Sequence, residues 1–392
     1  MSGERHGLTS VKGWVRNPPE TSREVRALMK LFKCQVCGQV LSFENTRCER
    51  CGARLGYLPH ADRLAAVEPV DDGWAPVGAP EPRFRFCQNA EADCCNWLVS
   101  SESTESFCVA CRHNGVVPDP SQPDALLLWQ KIEWAKHRLF YSLIRLKLPL
   151  QTRGERPTGL IFDFPADGQA AGAPRIVTGH DNGRITIALA EADDAERERR
   201  RTTMHEPYRT LLGHFRHEIG HYYWDRLVND SAQRSAYRAL FGDERRDYGQ
   251  ALKDYYEHGA PADWRERFVS AYAASHPWED FAETWAHYFH IVDTLEMAHA
   301  LGVSVSPTID YSGELAGRVA FDPYRAARIE DLIDAWLPAT FAFNSINRCM
   351  GHADLYPFVL TPAVIAKLGY IQQLIHNASN DLGSAGMCEA AP

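Results

Sequence analysis

The run His214-Phe215-Arg216-His217-Glu218-Ile219-Gly220-His221-Tyr222-Tyr223-Trp224-Asp225 decides how the rest of the chain is read. It contains His-Glu-x-x-His, and on a helix the four-residue step puts both imidazoles on one face, a turn apart, where they can hold a single Zn²⁺. Glu218 then lies beside the metal, placed to take a proton from water bound there. Tyr208, Leu211, Leu212, Phe215, Ile219 and Tyr222 recur with helical spacing and predict one apolar stripe. His214, His217, His221 and Asp225 form a second, polar stripe. Hidden polar groups are costly unless something satisfies them, and a metal set in a core does so. Glycine in mid-helix is disfavoured by about 1 kcal/mol relative to alanine, so Gly220 points to another backbone or a substrate passing close by. The competing reading is an ordinary amphipathic helix whose histidines face water.

A catalytic zinc needs a third protein ligand and an open position. The continuation that would supply a third histidine on the same segment is absent, because Trp224 and Leu227 stand where glycine and histidine would be required. The ligand must come from further along. Ser275-His276-Pro277-Trp278-Glu279-Asp280-Phe281-Ala282-Glu283-Thr284-Trp285 reads as the start of a second helix, with proline near its first position and acids in its first turn. Phe281, Trp285, Tyr288, Val292 and Leu295 predict its core stripe, while Glu279, Glu283 and His287 share another face. Spacing alone does not choose between two acids one turn apart. Asp225, a turn beyond His221, is placed to orient a ligand; His214, His287 and His290 are assigned no ligand role.

Nine of the eleven cysteines lie between positions 34 and 111. Cys34-x-x-Cys37-Gly and Cys48-x-x-Cys51-Gly have the spacing of a four-cysteine zinc ribbon, in which the glycine allows the turn that aims backbone N–H groups at sulfur. A second cluster holds Cys87, Cys94, Cys95, Cys108 and Cys111. Its regular half is Cys108-x-x-Cys111; the other half is irregular and pairs Cys87 with Cys95 or Cys94, with Cys95 favoured because Asn96 and Trp97 read as the start of a strand, which leaves Cys94 as a spare thiol. A disulfide framework is the competing reading, and the lack of an export signal argues against it.

The chain has 392 residues, 45% hydrophobic and 24% charged, with a net charge of -9, which argues against a general nucleic-acid-binding surface. No apolar run approaches the 18 or so residues that cross a membrane, so a soluble, cytoplasmic protein is expected. Residues 1–28 read as a flexible extension, with Met29 a natural start of translation. Residues 29–58 read as the first ribbon, 59–82 as a Pro- and Gly-rich linker, 83–117 as the second ribbon, 118–377 as a catalytic domain and 378–392 as a disordered tail. Within the large domain a helix ends before Pro149, and short strands cover Thr158–Phe164, Arg175–Thr178 and Arg184–Leu189 around an Asp181-Asn182-Gly183 turn. Such a sheet matters because an edge strand can pair with an extended peptide substrate. Ala192–Arg201 reads as a solvated loop. Helical periodicity returns at Tyr324–Trp336 and Thr361–Ile375, with Pro338, Pro357 and Pro362 as breaks.

His217-Glu218-x-Gly220-His221 followed by Glu279-x-x-x-Glu283 is similar to the gluzincin arrangement, and Glu279-Asp280-Phe281-Ala282-Glu283 resembles the lethal-factor type within it. That resemblance implies Glu279 as the third zinc ligand, Glu283 as the group that orients a histidine, and Tyr272, seven residues before Glu279, as the stabiliser of a developing oxyanion. Residues 29–377, including Asn347-Arg348-x-Met350-Gly351 and Asp354-Leu355-Tyr356-Pro357-Phe358, resemble a bacterial family of zinc-binding metallopeptidases with N-terminal zinc ribbons. The fold then expected is α+β: a zincin-like, mainly helical metallopeptidase domain with a small sheet, preceded by two zinc-ribbon modules. The resemblance implies one catalytic and two structural Zn²⁺, a peptide or protein substrate, and ribbons that are structural or recruit a protein partner. The alternative is an adaptor whose ribbons bind protein or nucleic acid while the zincin part is catalytically silent; an intact Glu218 argues against it. Hydrolysis of a non-peptide amide is a third, weaker reading.

Overall fold

The first cysteine module needs a chain reversal after each pair, and Gly38 and Gly52 supply it at φ 73° and 75°, a region glycine enters without a Cβ penalty. The computed structural model describes residues 31–388 apart from 80, 167–175, 177, 204–207 and 230; the expected extension, the Met29 start and residues 389–392 lie outside these. Gly38 N–H donates to Cys34 O and Gly52 N–H to Cys48 O, each at 2.8 Å. The first reversal folds β1 (Phe32–Lys33) against β2 (Val40–Leu41). The chain then runs through β3 (Arg54–Leu58), β4 (Arg63–Val70), β5 (Gly73–Pro76), β6 (Phe84–Phe86) and β7 (Leu98–Ser100), an antiparallel meander in that order.

Residues 59–82 are therefore largely sheet, not the expected linker. The residues that suggested a linker punctuate hairpins: Pro59 opens a 3-10 turn that Asp62 closes at φ 49°, and Gly73 takes φ 144° where β5 begins. Leu64, Ala65, Ala66 and Val67 between those turns are buried, which is what makes β4 a strand. The ends of the meander meet, Tyr57 N–H donating to Asn96 O at 2.8 Å, so both cysteine modules share one sheet. Phe43, Tyr57 and Trp97 pack beneath it, with centroids 4.9 Å apart for Phe43–Tyr57 and for Tyr57–Trp97.

Helix α1 (Ala125–Arg145) ends before Pro149 as expected and presents Tyr141 to that aromatic group, 5.7 Å from Phe43. Strands β8 (Ile161–Asp163), β9 (Gly179–Asp181) and β10 (Arg184–Thr186) form a sheet of order β8-β10-β9, with β8 parallel and β9 antiparallel to β10. Asn182 and Gly183, at φ 47° and 84°, make the two-residue turn between β9 and β10. Of the strand expected over 175–178, Arg175 and Val177 lie outside the described residues, and the strand there starts at Gly179. The acid- and arginine-rich run expected to be a loop is helix α2 (Asp194–Thr203). It buries none of its side chains; its support is the ladder of Glu196 with Arg199 and Arg200, and Glu198 with Arg201, at helical spacing.

Helix α3 (Leu211–Leu227) starts on a cap in which Thr210 Oγ1 accepts from Gly213 N at 3.0 Å. Helices α4 (Arg234–Phe241), α5 (Tyr248–His258) and α6 (Trp264–Arg267) lead to α7 (Pro277–Leu301). His276 Nδ1 accepts from Trp278 N at 3.1 Å to cap α7, Pro277 occupies its first turn, and Gly302 ends it at φ 67°. Phe281, Trp285, Tyr288, Val292 and Leu295 are buried, and so are Asp280, Thr284 and Phe289 on other faces, making α7 the central helix of the domain. It crosses α3 where Gly220 leaves room: a Cβ there would lie 3.0 Å from Ala282 Cα and 3.1 Å from Trp285 Cβ.

A two-stranded pair, β11 (Ser304–Val305) with β12 (Gly317–Arg318), precedes α8 (Ile329–Cys349) and α9 (Pro362–Cys388). Pro338 does not break α8 as its sequence position suggested. It lies inside the helix, buried, with its ring in the space Gly317 leaves open, where a Cβ would come within 2.9 Å. Order also continues past residue 377, to Cys388. Val364, Leu368, Ile371, Leu374 and Ile375 anchor α9, and adding residues to an existing helix requires no new nucleus. The fold is α+β.

Candidate metal centres

The crossing of α3 and α7 brings three Lewis-basic atoms together. His217 Nε2 lies 3.0 Å from Glu279 Oε2 and 3.1 Å from His221 Nε2, and His221 Nε2 lies 3.5 Å from Glu279 Oε2. The tautomer of His217 follows from its other nitrogen: Nδ1 is 2.8 Å from Glu283 Oε1, an acceptor only, so Nδ1–H donates and the Nε2 lone pair faces the cluster. Ser270 Oγ–H donates to Glu283 Oε2 at 2.6 Å, which fixes that carboxylate, and Tyr248 O–H donates to Glu279 Oε1 at 2.6 Å. Among the described residues, no hydrogen-bond donor satisfies buried Glu279 Oε2. A buried carboxylate oxygen with only imidazole nitrogens around it is what a cation site leaves when described by its protein atoms alone. Tetrahedral ligands about 2.0–2.1 Å from zinc stand roughly 3.3 Å apart, within the span observed, so the three groups fit zinc.

The electrostatics agree. Burial would raise the Glu279 carboxyl, but His221 and His217 hold it well below the usual range. Burial would lower His217, yet the neighbouring carboxylates of Glu279 and Glu283 hold it well above its ordinary value. Two carboxylates that draw positive charge onto His217 do the same for a cation. Glu218, 8% exposed beside the pair, is pushed up by burial against the pull of His217 and His221. Tyr272, in the 3-10 turn Tyr272–Ala274, has its ring 6.0 Å from that of His217, and burial keeps its hydroxyl protonated. Trp278 covers His221 at 3.9 Å between centroids, and His180 of β9 lies parallel to His221 at 6.4 Å.

Other polar groups from the sequence go elsewhere. His287 Nδ1 and the Tyr356 hydroxyl share a hydrogen bond at 2.6 Å, His214 meets Glu191 at 3.2 Å, and Arg216 bonds both His290 and Asp293. Asp225 sits 4.0 Å from His180 Nε2. Tyr248, Ser270, Trp278 and His180 carried no signal in the sequence, since each reaches the site through a tertiary contact that no local spacing encodes.

Cys34, Cys37, Cys48 and Cys51 converge, with Cys34–Cys51 and Cys37–Cys48 sulfurs 3.6 Å apart. Cys87, Cys95, Cys108 and Cys111 form the second group, with the Cys95 and Cys108 sulfurs 3.8 Å apart. With Zn–S bonds of about 2.3 Å, tetrahedral sulfurs stand roughly 3.8 Å apart, so both groups fit zinc. Cys94 stays out, its thiol 3.5 Å from Ala92 O and pushed up to about 12 by burial.

Residues 125–374 match the family described as "Putative zinc-binding metallo-peptidase", and residues 31–122 match a zinc-ribbon domain. The chain belongs to this metallopeptidase family. Uncharacterized proteins of Mycobacterium tuberculosis and Mycobacterium bovis are each 41% identical to it over 360 residues, 91% of this chain and 98% of theirs. No solved structure matches it. Family membership and the cysteine groups make it a zinc protein with an N-terminal ribbon domain, and the zinc-binding metallopeptidase match spans the helices that carry the histidine pair and Glu279. Among the described residues no helix is long and apolar enough to cross a membrane.

Proposed function

We propose that this metallopeptidase-family protein is a zincin-like, gluzincin-type peptidase that cleaves peptide bonds at the α3–α7 crossing. The observation that carries the reading is the approach of His217 Nε2, His221 Nε2 and Glu279 Oε2 to within 3.5 Å of one another beside a buried Glu218. His217, His221 and Glu279 hold the catalytic ion; the two cysteine groups hold one structural ion each. When bound, zinc supplies Lewis acidity that polarises a carbonyl and acidifies a water.

The protein's own residues do the rest. Glu283 and Ser270 keep His217 in the tautomer that ligates. Glu218, destabilised as an anion by burial, accepts the proton of the attacking water and returns it to the leaving amine. Tyr272 donates its protonated hydroxyl to the developing oxyanion. An extended peptide runs along β9, which ends its sheet on the side where His180 lies beside His221.

Incubation with denatured proteins or a peptide library tests the reading, comparing wild type with Glu218→Gln. Loss of a general base is worth about 10²–10⁴ in rate, with zinc content expected to remain at three per chain. Equal cleavage by the two proteins would rule the mechanism out; cleavage by neither would favour the adaptor reading.

A further inference from the structure

The second cysteine centre is not closed by its own module. In the first, Cys37 is half-buried and Cys51 exposed; in the second, Cys87, Cys95, Cys108 and Cys111 are all buried, and α1 of the catalytic domain covers them. His137 of that helix is fully buried and places Nε2 3.2 Å from Cys95 Sγ, 3.5 Å from Cys111 Sγ and 3.9 Å from Cys108 Sγ. Its Nδ1 lies 2.6 Å from Glu133 O, which can only accept, so the ring is oriented with Nε2 directed at the sulfurs. The buried His113 differs: its Nδ1 meets Leu160 O at 2.9 Å, and among the described residues its Nε2 meets no hydrogen-bonding group. For His137 Nε2 the hydrogen-bonding partners among the described residues are the three sulfurs.

Glu133 also reaches Cys111, at 3.6 Å, but its carboxylate is occupied by Asn114 Nδ2 at 2.7 Å, Lys136 Nζ at 2.8 Å and Trp129 Nε1 at 3.2 Å. It acts as a brace, which leaves His137 as the available donor. His137 Nε2 thus stands against three of the four sulfurs of a group that already supplies the four donors tetrahedral zinc needs, and it comes from another domain.

We propose that His137 belongs to the second zinc centre, an imidazole donor from the catalytic domain that retains the ion when a thiolate lets go and that makes zinc occupancy seat the ribbon domain on α1. The consequence reaches the candidate active site through packing. Phe140, one turn beyond His137, lies 5.9 Å from Phe162, which lies 5.7 Å from Phe215 on α3. Tyr141 O–H donates to Glu296 on α7 at 3.1 Å. The inference rests on zinc at the cysteine group and not on peptide hydrolysis, so each can fail without the other.

Zinc release from the full-length protein into a chromogenic chelator tests it in wild type, His137→Ala and His137→Gln. One equivalent should leave about tenfold faster from both variants, the scale on which groups that support a metal site act, while the rest leaves at the wild-type rate; release at one rate from all three proteins would overturn the proposal. Hydrogen exchange supplies an arm that needs no change at His137. In Glu279→Gln, which removes the catalytic centre from the comparison, extracting the ribbon zinc should strip protection from residues 129–141, and unchanged protection there would equally overturn it.

Discussion

Glu279 and Glu283 sit one turn apart on α7, yet they address different atoms of His217: Glu279 Oε2 the Nε2 side at 3.0 Å, Glu283 Oε1 the Nδ1 side at 2.8 Å. Glu279→Gln should therefore abolish zinc binding at this centre, and Glu283→Gln should weaken it by about 10–100-fold; metal titration separates the two, and equal affinities would reverse the assignment. The pair of histidines was legible because a helix converts a four-residue step into a shared face. The choice between the acids was not, because it depends on where α7 crosses α3. His113, two residues beyond Cys111, offers a test of pH dependence. Burial pushes it down to about 4, whereas an unfolded histidine titrates near about 6.5. The unfolded chain thus binds a proton there that the folded chain refuses, so this contribution is whole above pH 6.5 and lost as pH falls toward 4, the loss reaching about 2 kcal/mol by pH 5. Thermal melting should fall between pH 7 and pH 5 in wild type and fall less steeply in His113→Gln; parallel slopes would refute it.

At the level of elements, the contact between α3 and α7 turns on Gly220. Alanine would gain about 1 kcal/mol of helix propensity, but its methyl would press on Ala282 Cα at 3.0 Å and Trp285 Cβ at 3.1 Å. Backbone does not step aside as a flexible side chain does, and overpacking by one methyl costs about 1–3 kcal/mol. Gly220→Ala should lower the melting temperature and weaken zinc binding at the histidine pair, while a melt equal to wild type would show that the helices adjust. The mid-helix glycine announced such a neighbour in advance; Ala282 is that neighbour. The strands at 63–76 and helix α2 were hidden for a common reason. Proline, glycine and charge mark where the chain turns or meets water, and the same residues occur in hairpin turns and ion-paired surface helices as in loops. What distinguishes them is the partner: β3 and β6 for the first, the glutamate–arginine ladder for the second.

Across the whole molecule, Arg145 ties regions far apart in sequence, reaching Glu296 at 3.0 Å, Asp322 at 3.1 Å and Asp62 at 3.3 Å. Glu296 is fully buried, so Arg145→Ala takes a counter-charge away from a buried carboxylate and should cost about 3–5 kcal/mol in chemical denaturation. Lysine, a point charge without the guanidinium fork, should restore only part of that; full restoration would mean that geometry is irrelevant. The two cysteine sets and the histidine pair were readable from spacing, but their mutual placement was not. It rests on non-local links, chief among them Tyr57 N–H to Asn96 O and the rings of Phe43 and Tyr141. Those aromatic links bear on anyone who would trim the gene. A clone beginning at codon 118 strips Phe43, Tyr57 and Trp97 from α1 and leaves Tyr141, 1% exposed in the intact fold, on a bare apolar wound. Such a product should collect in inclusion bodies while the whole chain yields soluble protein, because the ribbon domain supplies the rings that cover Tyr141.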